Sequence, residues 1–175
     1  MAKNQVWFPG ETIIAGIGQG FLLTTPLQLA VMTARLATGT NVHPTLFHQE
    51  HPRAFSALGI HPDHLTLVRQ AMSDVVNVPG GTAYAQRLMD VGFAYAGKTG
   101  TAQVRRISMA QRAAGIKNED LPRQYRDHGM FIAFTPVDTP KYASAVIIEH
   151  GSSGSRAAAP VTKDIFLKMH ELGYV

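Results

Sequence analysis

Phe93-Ala94-Tyr95-Ala96-Gly97-Lys98-Thr99-Gly100-Thr101-Ala102-Gln103-Val104 carries too much glycine and threonine for a helix and reads as a strand. Its glycines mark places where another group approaches the backbone closely. Downstream, Gly129 to Phe134 and Tyr142 to Ile148 are apolar almost throughout. The run Thr135-Pro136-Val137-Asp138-Thr139-Pro140-Lys141 between them has turn composition, so the pair is predicted to form an antiparallel hairpin.

Helices flank these strands. Thr25 is the expected N-cap of the first, with Pro26 at its first position and Gln28 at its third. Leu27, Ala30, Val31 and Ala34 recur at helical spacing, and Gly39 closes the element. A second helix is predicted from about Asp63 to Asn77, with Leu65, Val68, Met72 and Val75 on its apolar face. Pro79-Gly80-Gly81 ends it, and Thr82 is expected to cap a short helix through Met89. Residues 1–20 read as irregular, 40–62 as a surface connection and Gly151 to Ser155 as a flexible loop. Residues 105–127 read as a polar insert, with Met109 to Ala114 helical. A last helix is predicted from Pro160 to Gly173. Helices, three strands and a closing helix make an α+β pattern: an antiparallel sheet with packed helices.

Composition narrows the function. A chain of 175 residues, 45% hydrophobic and 16% charged, suits one folded domain. The absence of cysteine excludes disulfides, thiolate metal sites and a cysteine nucleophile. The net charge of +4 is a mild excess. Arg105, Arg106, Arg112, Lys117, Arg123 and Arg126 crowd the insert, but only Tyr125 offers a stacking ring there, so nucleic acid is not an expected partner. His43, His48, His51, His61 and His64 lack the spacing with an acidic residue that marks zinc enzymes, and no metal site is expected. Gly16-Ile17-Gly18-Gln19-Gly20 follows no strand and is not a dinucleotide fingerprint.

The sharpest motif is Lys98-Thr99-Gly100-Thr101. A solvent-facing lysine on an ordinary strand would read the same from four residues alone. In its context, a strand followed by a polar loop and an apolar hairpin, it is similar to the third motif of the serine acyl-transferases that react with penicillin. There, Lys98 would project positive charge beside a peptide-like substrate. Thr99 and Thr101 would offer hydroxyls to a substrate carboxylate, and Gly100 would clear its approach. The Thr101 N–H would help hold an oxyanion.

Further stretches stand in the same order. They are Gly16 to Gly20, Thr24-Thr25-Pro26-Leu27-Gln28-Leu29-Ala30, Pro79-Gly80-Gly81-Thr82-Ala83, Ala96 to Gln103, and Ala133-Phe134-Thr135-Pro136. Together they resemble the class B penicillin-binding proteins, especially the penicillin-binding protein 2 type. The resemblance runs from about residue 7 to the C-terminus. It implies a D,D-transpeptidase that cross-links peptidoglycan stem peptides ending in D-Ala-D-Ala, through a serine acyl-enzyme that β-lactams also form. It implies no metal or organic cofactor. It makes Gly18, Gln19 and Gly20 a loop beside the cleft, with Gln19 in a structural hydrogen bond. It sets the parent enzyme on the periplasmic side of the inner membrane, although no anchor or signal segment is read in this chain.

One departure matters. None of Ser56, Ser73, Ser108, Ser144, Ser152, Ser153 and Ser155 has lysine three residues on or asparagine two residues on. The family's Ser-x-x-Lys and Ser-x-Asn motifs are therefore missing. Residues 1–175 are expected to be the C-terminal portion of a transpeptidase domain, with the serine-bearing half, pedestal domain and membrane anchor absent. Alone the chain is expected to be inactive and poorly soluble, with the missing half as its natural partner. The alternatives are a non-catalytic relic or binding module, or a fragment of a related D,D-carboxypeptidase or serine β-lactamase.

Overall fold

The computed structural model describes residues 6–47, 54–89, 92–105 and 108–175. Its helices are α1 (Pro9–Gly16), α2 (Pro26–Thr38), α3 (Pro62–Asn77), α4 (Met109–Ala113) and α5 (Ala159–Glu171). Its strands are β1 (Ala96–Ala102), β2 (His128–Thr135) and β3 (Tyr142–Ile148). The strands form one antiparallel sheet in the order β1-β2-β3, so β1 and β3 are its two edges.

Local chemistry sets the helix starts. The Thr25 hydroxyl accepts the Gln28 N–H, and the Gln28 side chain accepts the Thr25 N–H at 2.8 Å, the reciprocal cap read from the sequence. Gly39 ends α2 in the left-handed region at φ 73°. His61 Nδ1 accepts the Asp63 N–H and caps α3. Two of the other histidines, His48 and His51, lie outside the described residues, as does Arg106.

Three stretches differ from expectation. Residues 1–20 are not wholly irregular, because α1 spans Pro9–Gly16. Pro9 opens it and the Glu11 carboxylate accepts the Phe8 N–H at 2.8 Å, a start signal without an apolar stripe behind it. The helix expected from Thr82 to Met89 shrinks to a 3₁₀ turn at Tyr84–Gln86. Arg87 leaves it in an extended conformation, and the Gln86 carbonyl is taken by the Tyr95 hydroxyl. The flexible loop expected at 151–155 runs into a π-helical turn, Gly154–Ala158, which leads directly into α5.

The sheet is covered on both faces. Neighbouring residues of a strand point to opposite faces. Ile132 and Phe134 pack with Ala96, Ala143, Ala37 of α2 and Met72 of α3. Phe131 and Ala133 pack with Tyr95, Ala158, Ala159 and Phe166 of α5 on the other side. Val76, at the end of α3, and Ala83 join this second cluster.

Tyr95 is its keystone. It is fully buried, edge to ring with Phe131 at 6.3 Å and with Phe166 at 5.4 Å. Its hydroxyl donates to the Gln86 carbonyl at 2.8 Å. Burial pushes its phenol well above the ordinary tyrosine range. The folded chain thus keeps a proton that the unfolded chain releases above about pH 10. The contribution is whole below that pH and is lost above it at up to about 1.4 kcal/mol per pH unit. The urea midpoint should therefore fall between about pH 9 and about pH 11, and fall less in Tyr95→Phe. An equal fall in both would show that Tyr95 does not carry the effect.

One surface is left apolar. Val6, Trp7, Phe8, Ile13, Ile14, Ile17, Phe21, Leu22 and Leu23 are all exposed, Leu23 at 92%. No residue of α1 is buried. Apolar clusters of this kind mark surfaces that associate.

Candidate active site

The site grows from the free edge of β1. Its inner edge is held by β2, with Lys98 opposite Ile132, Gly100 opposite Met130 and Thr101 opposite Gly129. In an antiparallel ladder, residues alternately turn both backbone groups toward the partner strand and away from it. The Thr101 carbonyl is turned away, because it accepts from Gln19 Nε2 at 2.9 Å. The Thr99 carbonyl is turned away too, accepting from Lys98 Nζ at 2.8 Å. The alternation therefore turns the N–H of Thr101 outward along the open edge, and the backbone groups of Lys98 and Gly100 inward to β2.

Three stretches separated in sequence meet there. The loop after α1 delivers Gln19, flanked by Gly18 at φ 73° and Gly20 at φ 75°, backbone angles that glycine adopts without strain. The Thr82 hydroxyl of the Pro79–Ala83 stretch lies 3.0 Å from the Thr99 hydroxyl. Lys98 and Thr101 are exposed, while Thr99 and Gly100 are half-buried. Lys98 shares a face with Ile132, and Thr99 and Thr101 point to the opposite one. A protonated lysine, two hydroxyls and an outward N–H on one strand edge can bind an anionic, peptide-like ligand and stabilise charge on its carbonyl oxygen.

Residues 2–167 match the family described as penicillin binding protein transpeptidase domain. The chain belongs to this transpeptidase-domain family. It is 36% identical over 175 residues to the peptidoglycan D,D-transpeptidase MrdA of Acinetobacter baumannii, an alignment covering 94% of this chain and 25% of that protein. Against MrdA of Salmonella typhimurium the identity is 34%, over 93% of this chain and 27% of that protein. The chain thus spans about a quarter of the length of the curated relatives it matches.

Solved transpeptidase structures share the fold. The complex between penicillin-binding protein PBP2 and MreC from Helicobacter pylori superposes with a TM-score of 0.80 at 33% identity, covering 98% of this chain and 29% of that one. PBP2 of Pseudomonas aeruginosa, solved in complex with WCK 5153, gives 0.67 at 36% identity over 97% of this chain and 34% of that one. The α+β architecture and the penicillin-binding protein 2 resemblance both stand.

The transpeptidase fold also uses residues that sequence reading passed over. Gly154 lies against the sheet where β1 and β2 pair, and a Cβ there would sit 2.7 Å from the Gly100 carbonyl oxygen. Gly97, one of the glycines predicted to mark a close approach, faces the Phe131 ring, and its Cβ would lie 2.7 Å from the Ile132 carbonyl oxygen. At Gly100, expected to clear a substrate's approach, packing within the chain is less demanding. A Cβ there would meet the flexible end of Met130 at 3.2 Å. Asp127 and Asn118 tie the insert to both β1 and the loop after β3. Their separation in sequence left no local signal.

Proposed function

We propose that the chain is the C-terminal portion of a peptidoglycan D,D-transpeptidase domain and forms one wall of its acyl-transfer site. The observation that carries this reading is the open β1 edge, where the Thr101 N–H faces outward beside Lys98, Thr99 and Gly100. The other wall, with the attacking serine, belongs to polypeptide outside these 175 residues. A terminal D-Ala-D-Ala stem peptide would lie along β1. The serine oxygen would form an ester with the penultimate D-Ala carbonyl, and the terminal D-Ala would leave as its free amine. An amine on a neighbouring stem would then take the acyl group and free the serine.

Each residue has a separate task. The Thr101 N–H donates to the carbonyl oxygen as negative charge develops on it. Lys98 supplies positive charge that draws the anionic substrate and favours proton movement at the serine. The Thr99 and Thr101 hydroxyls meet the terminal carboxylate. Gln19 fixes the strand from outside by occupying the Thr101 carbonyl. β-Lactams would acylate the same serine. In this reading the parent enzyme works at the periplasmic face of the inner membrane, in cell-wall synthesis that maintains cell shape. The relatives' names favour a transpeptidase over a carboxypeptidase or β-lactamase.

Fluorescent penicillin tests the reading. The 175-residue chain alone should take no label that survives denaturation. Fused to the upstream part of the Pseudomonas aeruginosa relative, which would supply Ser-x-x-Lys and Ser-x-Asn, it should label covalently. Label on the isolated chain, or none on a folded fusion, would count against it.

A further inference from the structure

Asp127 stands where β1 stops being held by β2. The ladder ends at Ala102 opposite His128. Continuing the alternation from Lys98, Gly100 and Ala102, the next inward-facing N–H belongs to Val104. No β2 residue remains to receive it, and Asp127 Oδ1 accepts it instead at 3.1 Å. The carboxylate thus extends the pairing of β1 beyond the last strand residue.

That carboxylate is itself fixed. Asn118 Nδ2 donates to Asp127 Oδ2 at 3.0 Å, and the Asp127 N–H donates to Asn118 Oδ1 at 3.1 Å. The Asp127 carbonyl accepts the Ser152 N–H at 2.9 Å. Val104 directly precedes the insert and Asp127 is its last residue, so this cluster closes its neck. Thr101 lies one residue inside the last ladder pair, where an unanchored strand frays. An acceptor for two donors at once, the Val104 N–H and the Asn118 amide, must carry no hydrogen on either oxygen. A carboxylate meets that need and an amide does not.

We propose that Asp127, held by Asn118, is a positioning residue that fixes the end of β1 and thereby the direction of the Thr101 N–H. Its bearing on chemistry rests on the reading that this N–H faces the acyl carbonyl. Motion in the insert is then stopped at its neck before it reaches the site.

Amide hydrogen exchange on the whole chain tests the proposal, with Asp127→Asn and the exchanged pair Asn118→Asp/Asp127→Asn. The single change sets an NH₂ against either Val104 N–H or the Asn118 amide. The exchanged pair restores both bonds, because the amide placed at position 127 accepts from Val104 and donates to the carboxylate placed at position 118; it gives up the longer bond from Asn118 to the Ser152 carbonyl at 3.4 Å, which does not touch β1. In the single variant, exchange at Val104 and Ala102 should quicken about tenfold, with Ile132 and Val146 unchanged. The exchanged pair should recover most of that difference at both, the remainder reflecting the lost bond from position 118 to the Ser152 carbonyl. Unaltered exchange at Val104 and Ala102, a uniform increase at every amide, or no recovery in the exchanged pair would overturn the assignment.

The same variants in the fusion should show penicillin acylation slowed by about tenfold and recovered together with the exchange rates. If exchange behaves as stated but the unsubstituted fusion takes no label, the transpeptidase reading fails while the anchoring of β1 stands. If that fusion labels and the single variant labels equally fast, the positioning of Thr101 by Asp127 is wrong.

Discussion

Lys98→Met in the penicillin-reactive fusion should lower the second-order rate of acylation by about 100-fold or more, with no change in melting temperature. Lys98 is exposed, and its Nζ rests on the Thr99 carbonyl at 2.8 Å. Among the described residues it makes no ion pair. Methionine keeps an unbranched apolar stem and removes only the charge and the donors. Strand position is set by the ladder to β2, which methionine leaves untouched. Exposed substitutions of this kind cost within about 0.5 kcal/mol of stability. A large kinetic effect without a stability effect is the signature of a group acting on the substrate. Unchanged acylation in Lys98→Met would mean that the lysine is an ordinary surface residue.

The largest effect on folding is expected at Gly154. Its φ lies outside the left-handed region, so contact and not backbone angle demands glycine. The intruding Cβ would meet the Met130 and Gly100 carbonyl oxygens and lie 3.0 Å from the Gly100 nitrogen. All three atoms are backbone inside a paired ladder and cannot turn aside. Gly129 repeats the demand from the sheet side, since its Cβ would sit 2.7 Å from the Ser153 carbonyl oxygen. Gly154→Ala should cost about 3 kcal/mol. For a chain of this size it should lower the melting temperature by about 10 °C. Gly10→Ala, with nothing within 4 Å of the added carbon, is the control and should leave stability unchanged or improved. If Gly154→Ala melts with the unsubstituted chain, the close seating of the π-helical turn on the sheet is wrong.

Which parts of this molecule could be read in advance follows from the range of the interactions. α2 was legible because its start and stop are written in adjacent residues, Thr25, Pro26, Gln28 and Gly39. The β2–β3 hairpin was legible because both strands are apolar and flank one turn. The start of α1 was written locally too, in Pro9 and Glu11. None of its residues is buried, so no buried stripe drew attention to it. The neck of the insert depends on Val104 meeting Asp127 and Asn118 meeting Ser152, pairs 23 and 34 residues apart. Nothing local distinguishes that aspartate from a solvated one. Gln19 reaches Thr101 across 82 positions, and only family resemblance set that loop beside the motif.

The most direct measurement is the structure of the fusion after reaction with a penicillin. The acyl carbonyl oxygen should lie about 2.7–3.1 Å from the Thr101 backbone nitrogen, with the bound chain running along the outer edge of β1. An acyl group whose carbonyl oxygen lies away from that edge, with Thr101 N–H still open to solvent, would contradict the account.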